Sequence, residues 1–172
     1  KQPIWLEIGM GKGRFTNTLA QKFPNINILG LEVKEERVLS AYKIMKANQT
    51  ENIRFLLLSA FKLNEVFQEG EIEKIFINFP DPWPKKKHFK RRLTSSSMLG
   101  IYKNILSKNG VIEFKTDNFS LFQDSKTTFL ENNWQILEEI HGVVDNETNI
   151  CTNFEKKFRE KGLPIYKAFF QL

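Results

Sequence analysis

The stretch Ile4-Trp5-Leu6-Glu7-Ile8-Gly9-Met10-Gly11-Lys12-Gly13 sets the reading of the whole chain. Its first five residues are mostly apolar and β-prone, and they stop at a glycine, as a buried strand does. Glycines at alternate positions then let the backbone turn tightly. Arg14 to Phe23 follows with Phe15, Leu19 and Phe23 at helical spacing, and Pro24 ends it. The same alternation runs outward from this unit. Ile26 to Val33 predicts a second strand, Glu35 to Ala47 a helix with Val38, Leu39, Tyr42 and Met45 on one face, and Ile53 to Leu58 a third strand. Phe61 to Phe67 reads as helical, Ile72 to Phe79 as a fourth strand, Leu93 to Leu106 as a helix, Gly110 to Lys115 as a fifth strand and Ser120 to Asn132 as a helix. Trp134 to His141 and Pro164 to Leu172 complete the set, with a loop and a short charged helix between them in Gly142 to Gly162. Strands and helices alternating at these lengths imply an α/β, doubly wound fold: a mostly parallel seven-stranded sheet with an antiparallel last strand and helices on both faces.

The chain has 172 residues, close to the roughly 150 of one domain, so a single domain over residues 1–172 is expected. With 41% hydrophobic and 27% charged residues, disorder, collagen and coiled coil are excluded. Cys151 is the one cysteine, which removes any intrachain disulfide and suits a reducing compartment. No apolar run approaches the ~18 residues that cross a bilayer. A soluble, cytoplasmic protein with no membrane partner is the expectation. The histidines, His88 and His141, stand in no cluster with metal-ligand spacing, and Cys151 has no neighbouring base, so neither metal nor thiol catalysis is expected.

Charge is more informative. Lysine and arginine number 26 against 20 acids, a formal +6. Lys85-Lys86-Lys87-His88-Phe89-Lys90-Arg91-Arg92 holds six cations in eight positions; without it the chain balances at 20 against 20. The excess is one local patch, the footprint of a phosphate-backbone partner. Taken alone, the run reads equally well as a solvated loop or a localisation signal.

The candidate site follows from where a parallel sheet binds ligands, just past the carboxyl ends of its strands. Glu7, Gly9, Gly11 and Gly13 end the first strand, and their G-x-G-x-G spacing differs from the G-x-G-x-x-G of a dinucleotide pyrophosphate loop. Glu32 closes the second strand, where a carboxylate accepts from both ribose hydroxyls. Together they favour a nucleoside-bearing cofactor without a pyrophosphate, and S-adenosylmethionine fits. Ser59, past the third strand, offers an uncharged hydroxyl to the adenine or is a plain loop serine. Pro80-Asp81-Pro82-Trp83-Pro84 is a stiff loop, since three prolines in five residues suit neither helix interior nor central strand. It aims Asp81 at the site; Trp83 is either a stacking ring or a core anchor, and Lys85 a point charge for phosphate. Thr116-Asp117-Asn118 and Thr152-Asn153-Phe154-Glu155 read in isolation as turn and capping residues.

Assembled, these residues resemble the bacterial tRNA (guanine-N7)-methyltransferase family. The likeness is carried by Leu6-Glu7-Ile8-Gly9 with Gly11 and Gly13, Gly30-Leu31-Glu32-Val33, Asn78-Phe79-Pro80-Asp81-Pro82-Trp83-Pro84-Lys85-Lys86 with His88 and Lys90-Arg91-Arg92, Thr116-Asp117, and Thr152-Asn153-Phe154-Glu155-Lys156 with Gly162 and Ile165-Tyr166. It covers essentially the whole chain, and the proline-tryptophan-lysine stretch is its most specific part. The resemblance implies a Rossmann-like methyltransferase fold and methylation of a variable-loop guanine of tRNA at N7. It implies that Glu7, Gly9, Gly11, Glu32, Ser59 and Asp81 bind S-adenosylmethionine and that Asp81 is catalytic. Lys85, Asp117, Thr152, Asn153, Phe154 and Glu155 match substrate-contacting positions, and Lys87, His88, Phe89, Lys90, Arg91 and Arg92 an RNA-binding segment. Ser59 departs from the Asp or Asn usual in the family. The implied partner is tRNA, bound by a monomer or a homodimer, and an N-terminal arm is expected to precede residue 1.

Two other readings stand beside it. An amino-methyltransferase would carry an Asn-Pro-Pro-aromatic loop after strand four, which Asn78-Phe79-Pro80-Asp81 matches only loosely. A non-enzymatic RNA-binding domain on a decayed methyltransferase fold is opposed by the intact Glu7, Gly9, Gly11, Glu32 and Asp81.

Overall fold

The computed structural model describes residues 2–144 and 149–172. Seven strands form one sheet in the order β3-β2-β1-β4-β5-β7-β6: β1 Ile4–Ile8, β2 Asn27–Glu32, β3 Ile53–Leu57, β4 Ile72–Asn78, β5 Leu106–Thr116, β6 Gln135–His141 and β7 Tyr166–Gln171. β1 to β5 pair in parallel, and β7 runs antiparallel to both β5 and β6. The helices are α1 Arg14–Lys22, α2 Glu35–Asn48, α3 Ser96–Ile105, α4 Phe119–Glu131 and α5 Asn153–Glu160. Two short 3-10 helices span Ala60–Glu65 and Lys86–Arg91.

Strand alternation divides the apolar side chains between two cores. Leu6, Ile8, Ile75, Ile77, Ile112 and Phe114 face α3 and α4, whereas Phe76, Ile28 and Ile53 face Phe15, Leu19 and Ala20 of α1. The same alternation turns Glu7, flanked by Leu6 and Ile8, onto the α1 side of the sheet. Gly13 brings α1 against α2: a Cβ there would stand 2.3 Å from the Ala41 Cβ. Across β4, β5 and β7 on that same side, Lys74 and Lys167 bracket Glu113 at 2.8 and 2.9 Å.

Four expectations need adjusting. β5 begins at Leu106 rather than Gly110, because Leu106 already pairs with Ile72 before a register shift. The helix expected from Leu93 starts only at Ser96, since Arg92–Ser95 closes a turn and Ser95 is the N-cap. The segment expected as a helix over Phe61 to Phe67 is a 3-10 helix. On α2 only Ala41 is buried; Leu39 and Tyr42 stay exposed because α2 packs at β3, which ends the sheet among the described residues.

Candidate active site at the carboxyl edge of the sheet

The chain winds from β1 outward to β3 and then returns to β4 on the other side of β1, so the sheet reverses direction between β1 and β4. Ligand crevices open at such a switch point, outside the carboxyl ends of the strands. Five predicted positions end or follow neighbouring strands here: Glu7 to Gly11 after β1, Glu32 on β2, Ser59 past β3, Asp81 past β4 and Asp117 past β5.

Gly9 and Gly11 have φ of +75° and +57°, which a side chain would strain. Nothing lies within 4 Å of where either Cβ would stand, so the loop presents bare backbone to open space. Glu7, at the floor, is buried. Its Oε2 accepts from the Thr16 hydroxyl, and its Oε1 from Asn78 Nδ2 at 3.1 Å. Burial pushes Glu7 up from its ordinary 4.5 to about 7, against the Thr16 and Asn78 hydrogen bonds and the Lys115 charge, which lower it.

Glu32 is also buried, and donors already surround it. Gly11 N and Arg37 reach Oε2 at 3.1 and 3.4 Å, while Val33 N and Lys34 N reach Oε1 at 2.8 and 3.2 Å. Two carboxylate oxygens offer about four lone-pair sites, so any further donor could enter only in exchange for one of these. Arg37, half exposed and most distant, is the one held least. Ser59 is half-buried, N-caps the 3-10 helix after β3, and its hydroxyl makes no hydrogen bond to a described residue.

Asp81 is exposed and has no hydrogen-bond or ion-pair partner among the described residues. Its loop opens with Phe79 and includes Trp83, both in the left-handed region at φ of +49° and +41°. Phe79 sits between Phe154 and Phe158 of α5, with ring centroids 6.1 and 5.7 Å away. Phe154 remains 56% exposed, an aromatic face open to solvent. Trp83 is half-buried between His88, which meets it edge-on, and Arg91, whose guanidinium lies 5.1 Å from the ring.

The basic run folds as a 3-10 helix rather than an open loop. Lys85, Lys86, Lys87, Lys90 and Arg91 are exposed, and His88 and Phe89 half-buried. Arg92 departs from the expected RNA contact: it is 7% exposed and turned inward, onto Pro82 O, Trp83 O and Asp124.

Asp117 is half-buried and makes no hydrogen bond to a described residue. Thr152 caps α5 by accepting from Glu155 N at 3.0 Å, and the Asn153 side chain lies outside what the structure describes. Glu155 is fully buried. Asn149 and Arg159 hold its Oε1 at 2.6 and 2.5 Å, and Lys115 its Oε2 at 3.3 Å. Three donors within the protein therefore hold this carboxylate, which the sequence offered as a substrate contact. Lys115 is the main member of the site that sequence reasoning missed. The signal was visible in Glu113-Phe114-Lys115, two charges on one face of a strand within the apolar run that starts at Val111. Burial holds Lys115 below its ordinary range, although the Glu113 and Glu155 carboxylates oppose that shift. Among the described residues no cluster of His, Cys, Asp or Glu is placed to hold a metal ion, and no helix is long and apolar enough to cross a membrane.

The overall fold is shared with solved methyltransferases. An S-adenosylmethionine-dependent methyltransferase from Aquifex aeolicus superposes with a TM-score of 0.69 at 10% identity, over 99% of this chain and 82% of that one. The chain therefore has a Rossmann-like fold of the kind methyltransferases use. A family model described as "Putative methyltransferase" matches residues 1–168. The tRNA (guanine-N(7)-)-methyltransferase of Alkaliphilus oremlandii is 46% identical over 171 residues, 98% of this chain and 81% of that protein. That of Pediococcus pentosaceus is 42% identical over 172 residues, 97% and 80% respectively. The chain belongs to the tRNA (guanine-N7)-methyltransferase family.

Proposed function

We propose that residues 1–172 act as one domain that transfers a methyl group from S-adenosylmethionine to N7 of a guanine in tRNA. The observation that carries this reading is Asp81, without a partner among the described residues, on a proline-stiffened loop that follows β4, the strand beside β1 and its bare glycine loop, and that leads into five exposed cations.

The residues present suit the cofactor. The backbone of Gly9 and Gly11, which faces open space, would hold its amino-acid portion, Glu32 would accept from ribose hydroxyls in exchange for Arg37, and the Ser59 hydroxyl would meet the adenine. Bound S-adenosylmethionine supplies an electrophilic methyl group on a sulfonium. Everything else falls to the protein. Guanine N7 carries an exposed lone pair, so no proton has to leave before attack and no general base is required. What the site must provide is position and charge. As the N7–carbon bond forms, the methyl–sulfur bond would break and leave a neutral thioether, so positive charge would pass to the purine, where the Asp81 carboxylate would oppose it. Asp117, with free acceptors, suits the guanine N1–H and exocyclic amine, and the exposed Phe154 ring suits the base face. Lys85, Lys87, Lys90 and Arg91 hold phosphates, and Glu155 contributes by anchoring the Thr152–Phe154 segment to β5. A purine stacked or engaged in folded tRNA has to be exposed before transfer.

The test is incubation with methyl-labelled cofactor and unmodified tRNA, followed by nuclease digestion and mass analysis. Label in 7-methylguanosine is the expected result. Label on an exocyclic amine would support the amino-methyltransferase reading instead, and no cofactor binding by calorimetry would support the non-enzymatic one.

A further inference from the structure

Residues 80–84 present an unusual problem of backbone satisfaction. Three of the five are prolines without an N–H, and among the described residues none of the five makes a backbone–backbone hydrogen bond. Flanking and within this stretch, Phe79 and Trp83 occupy left-handed backbone that non-glycine residues rarely adopt. Strained residues of this kind persist only where their surroundings over-determine them. At the near end the restraint is plain: Phe79 N donates to Lys115 O at 2.8 Å, and its ring is stacked by α5. At the far end one side chain supplies it.

We propose that Arg92 is a positioning residue for Asp81, its guanidinium clamping the loop carbonyls to α4, and not one of the cations that bind RNA. Its Nε donates to Pro82 O at 2.8 Å, one residue beyond Asp81, and a second nitrogen makes a longer 3.5 Å contact to Trp83 O. The third points the other way, to Asp124 of α4 at 2.8 Å. The guanidinium carbon lies 3.7 Å from the centre of the Phe89 ring, so the fork is also held flat. α4 packs on the sheet through Leu121, Phe122 and Phe129, which makes it a rigid frame. Asp81 has no partner of its own among the described residues, so its position is set through the backbone that Arg92 holds. A lysine would preserve the charge but has no fork to donate to a carbonyl and a carboxylate in opposite directions.

The inference rests on the reading of the chain as a tRNA methyltransferase, which wild-type turnover tests separately. Arg92→Lys is to be compared with wild type and with Lys90→Ala. The measurements are single-turnover rate at saturating tRNA and cofactor, tRNA affinity against salt, and melting temperature. For Arg92→Lys the expected outcome is a rate about tenfold or more slower, as for a small misplacement of a reacting group. Its tRNA affinity and salt slope should stay at wild-type values, whereas Lys90→Ala should flatten the slope by about 1. Should Arg92→Lys not fold, Asp124→Asn carries the test, with the same slower rate and unchanged slope expected. Removing an acid that merely neighbours an RNA contact would instead tighten tRNA binding and leave the rate alone. The proposal is overturned if Arg92→Lys, or Asp124→Asn in its place, keeps the wild-type saturating rate, or if Arg92→Lys flattens the salt slope as Lys90→Ala does. An inactive wild-type protein would instead sink the functional reading on which it stands.

Discussion

Asn78 Nδ2 donates to Glu7 Oε1 at 3.1 Å, which ties the end of β4 to the end of β1 where the sheet reverses its winding. The bond orients the amide: its nitrogen faces the carboxylate, and its Oδ1 is left buried without a partner among the described residues. The two elements that frame the cleft are therefore linked through a buried acid whose ionisation is costly.

That cost has a pH signature. Unfolded, Glu7 loses its proton near 4.5; folded, burial retains it to about 7. The folded state binds more protons between those values, so this contribution to stability is full below 4.5 and is lost as pH rises through 7. A displacement of that size is worth on the order of 3 kcal/mol. Glu7→Gln, which cannot ionise, should be more stable relative to wild type at about pH 8 than at about pH 5, while binding the cofactor less well. Urea denaturation at both pH values checks this, and parallel pH dependence of the two proteins would remove Glu7 as the source.

Asp81→Asn should slow methyl transfer by about 10²–10³-fold, the usual loss when a group aimed at developing charge is removed. Its melting temperature should not move, because Asp81 has no partner among the described residues to lose. Single-turnover kinetics with a thermal melt decide it; near-wild-type turnover would exclude the carboxylate from the chemistry.

Alanine at Lys85, Lys87 and Lys90 should weaken tRNA binding and flatten its salt dependence by about 1 for each phosphate that is no longer neutralised. Cofactor affinity should be unaffected. Binding isotherms at several salt concentrations measure the slope, and an unchanged slope in the triple variant would make the run a solvated surface.

Glu155→Ala would leave Lys115 buried with its nearest carboxylate gone. Breaking a buried pair in this way typically costs about 3–5 kcal/mol. Chemical denaturation should show that loss, and Lys115→Met combined with Glu155→Leu should recover part of it. Wild-type stability in Glu155→Ala, coupled to lost tRNA affinity, would return Glu155 to the base-reading role that its burial argues against.

Much of this was legible along the chain because it is written in local chemistry. The period-two and helical patterns, the glycines after β1 and the prolines after β4 each act within a few residues. They were enough to place Glu7, Glu32, Ser59, Asp81 and Asp117 on one edge of a doubly wound sheet. The late start of α3 and the early start of β5 were less legible, since Ser95 capping and Leu106 pairing with Ile72 depend on partners distant in sequence.

Only the tertiary structure could decide what each charged side chain faces. Arg91 and Arg92 are adjacent and chemically identical, yet one lies open over Trp83 and the other is buried against Pro82 and Asp124. Glu155 sits in a stretch that reads as a helix cap, and it becomes the counter-ion of a lysine forty residues earlier. Sequence alone determined that these groups exist and which edge they approach. Desolvation, which depends on how the whole chain packs, determined which of them remain free to meet a ligand.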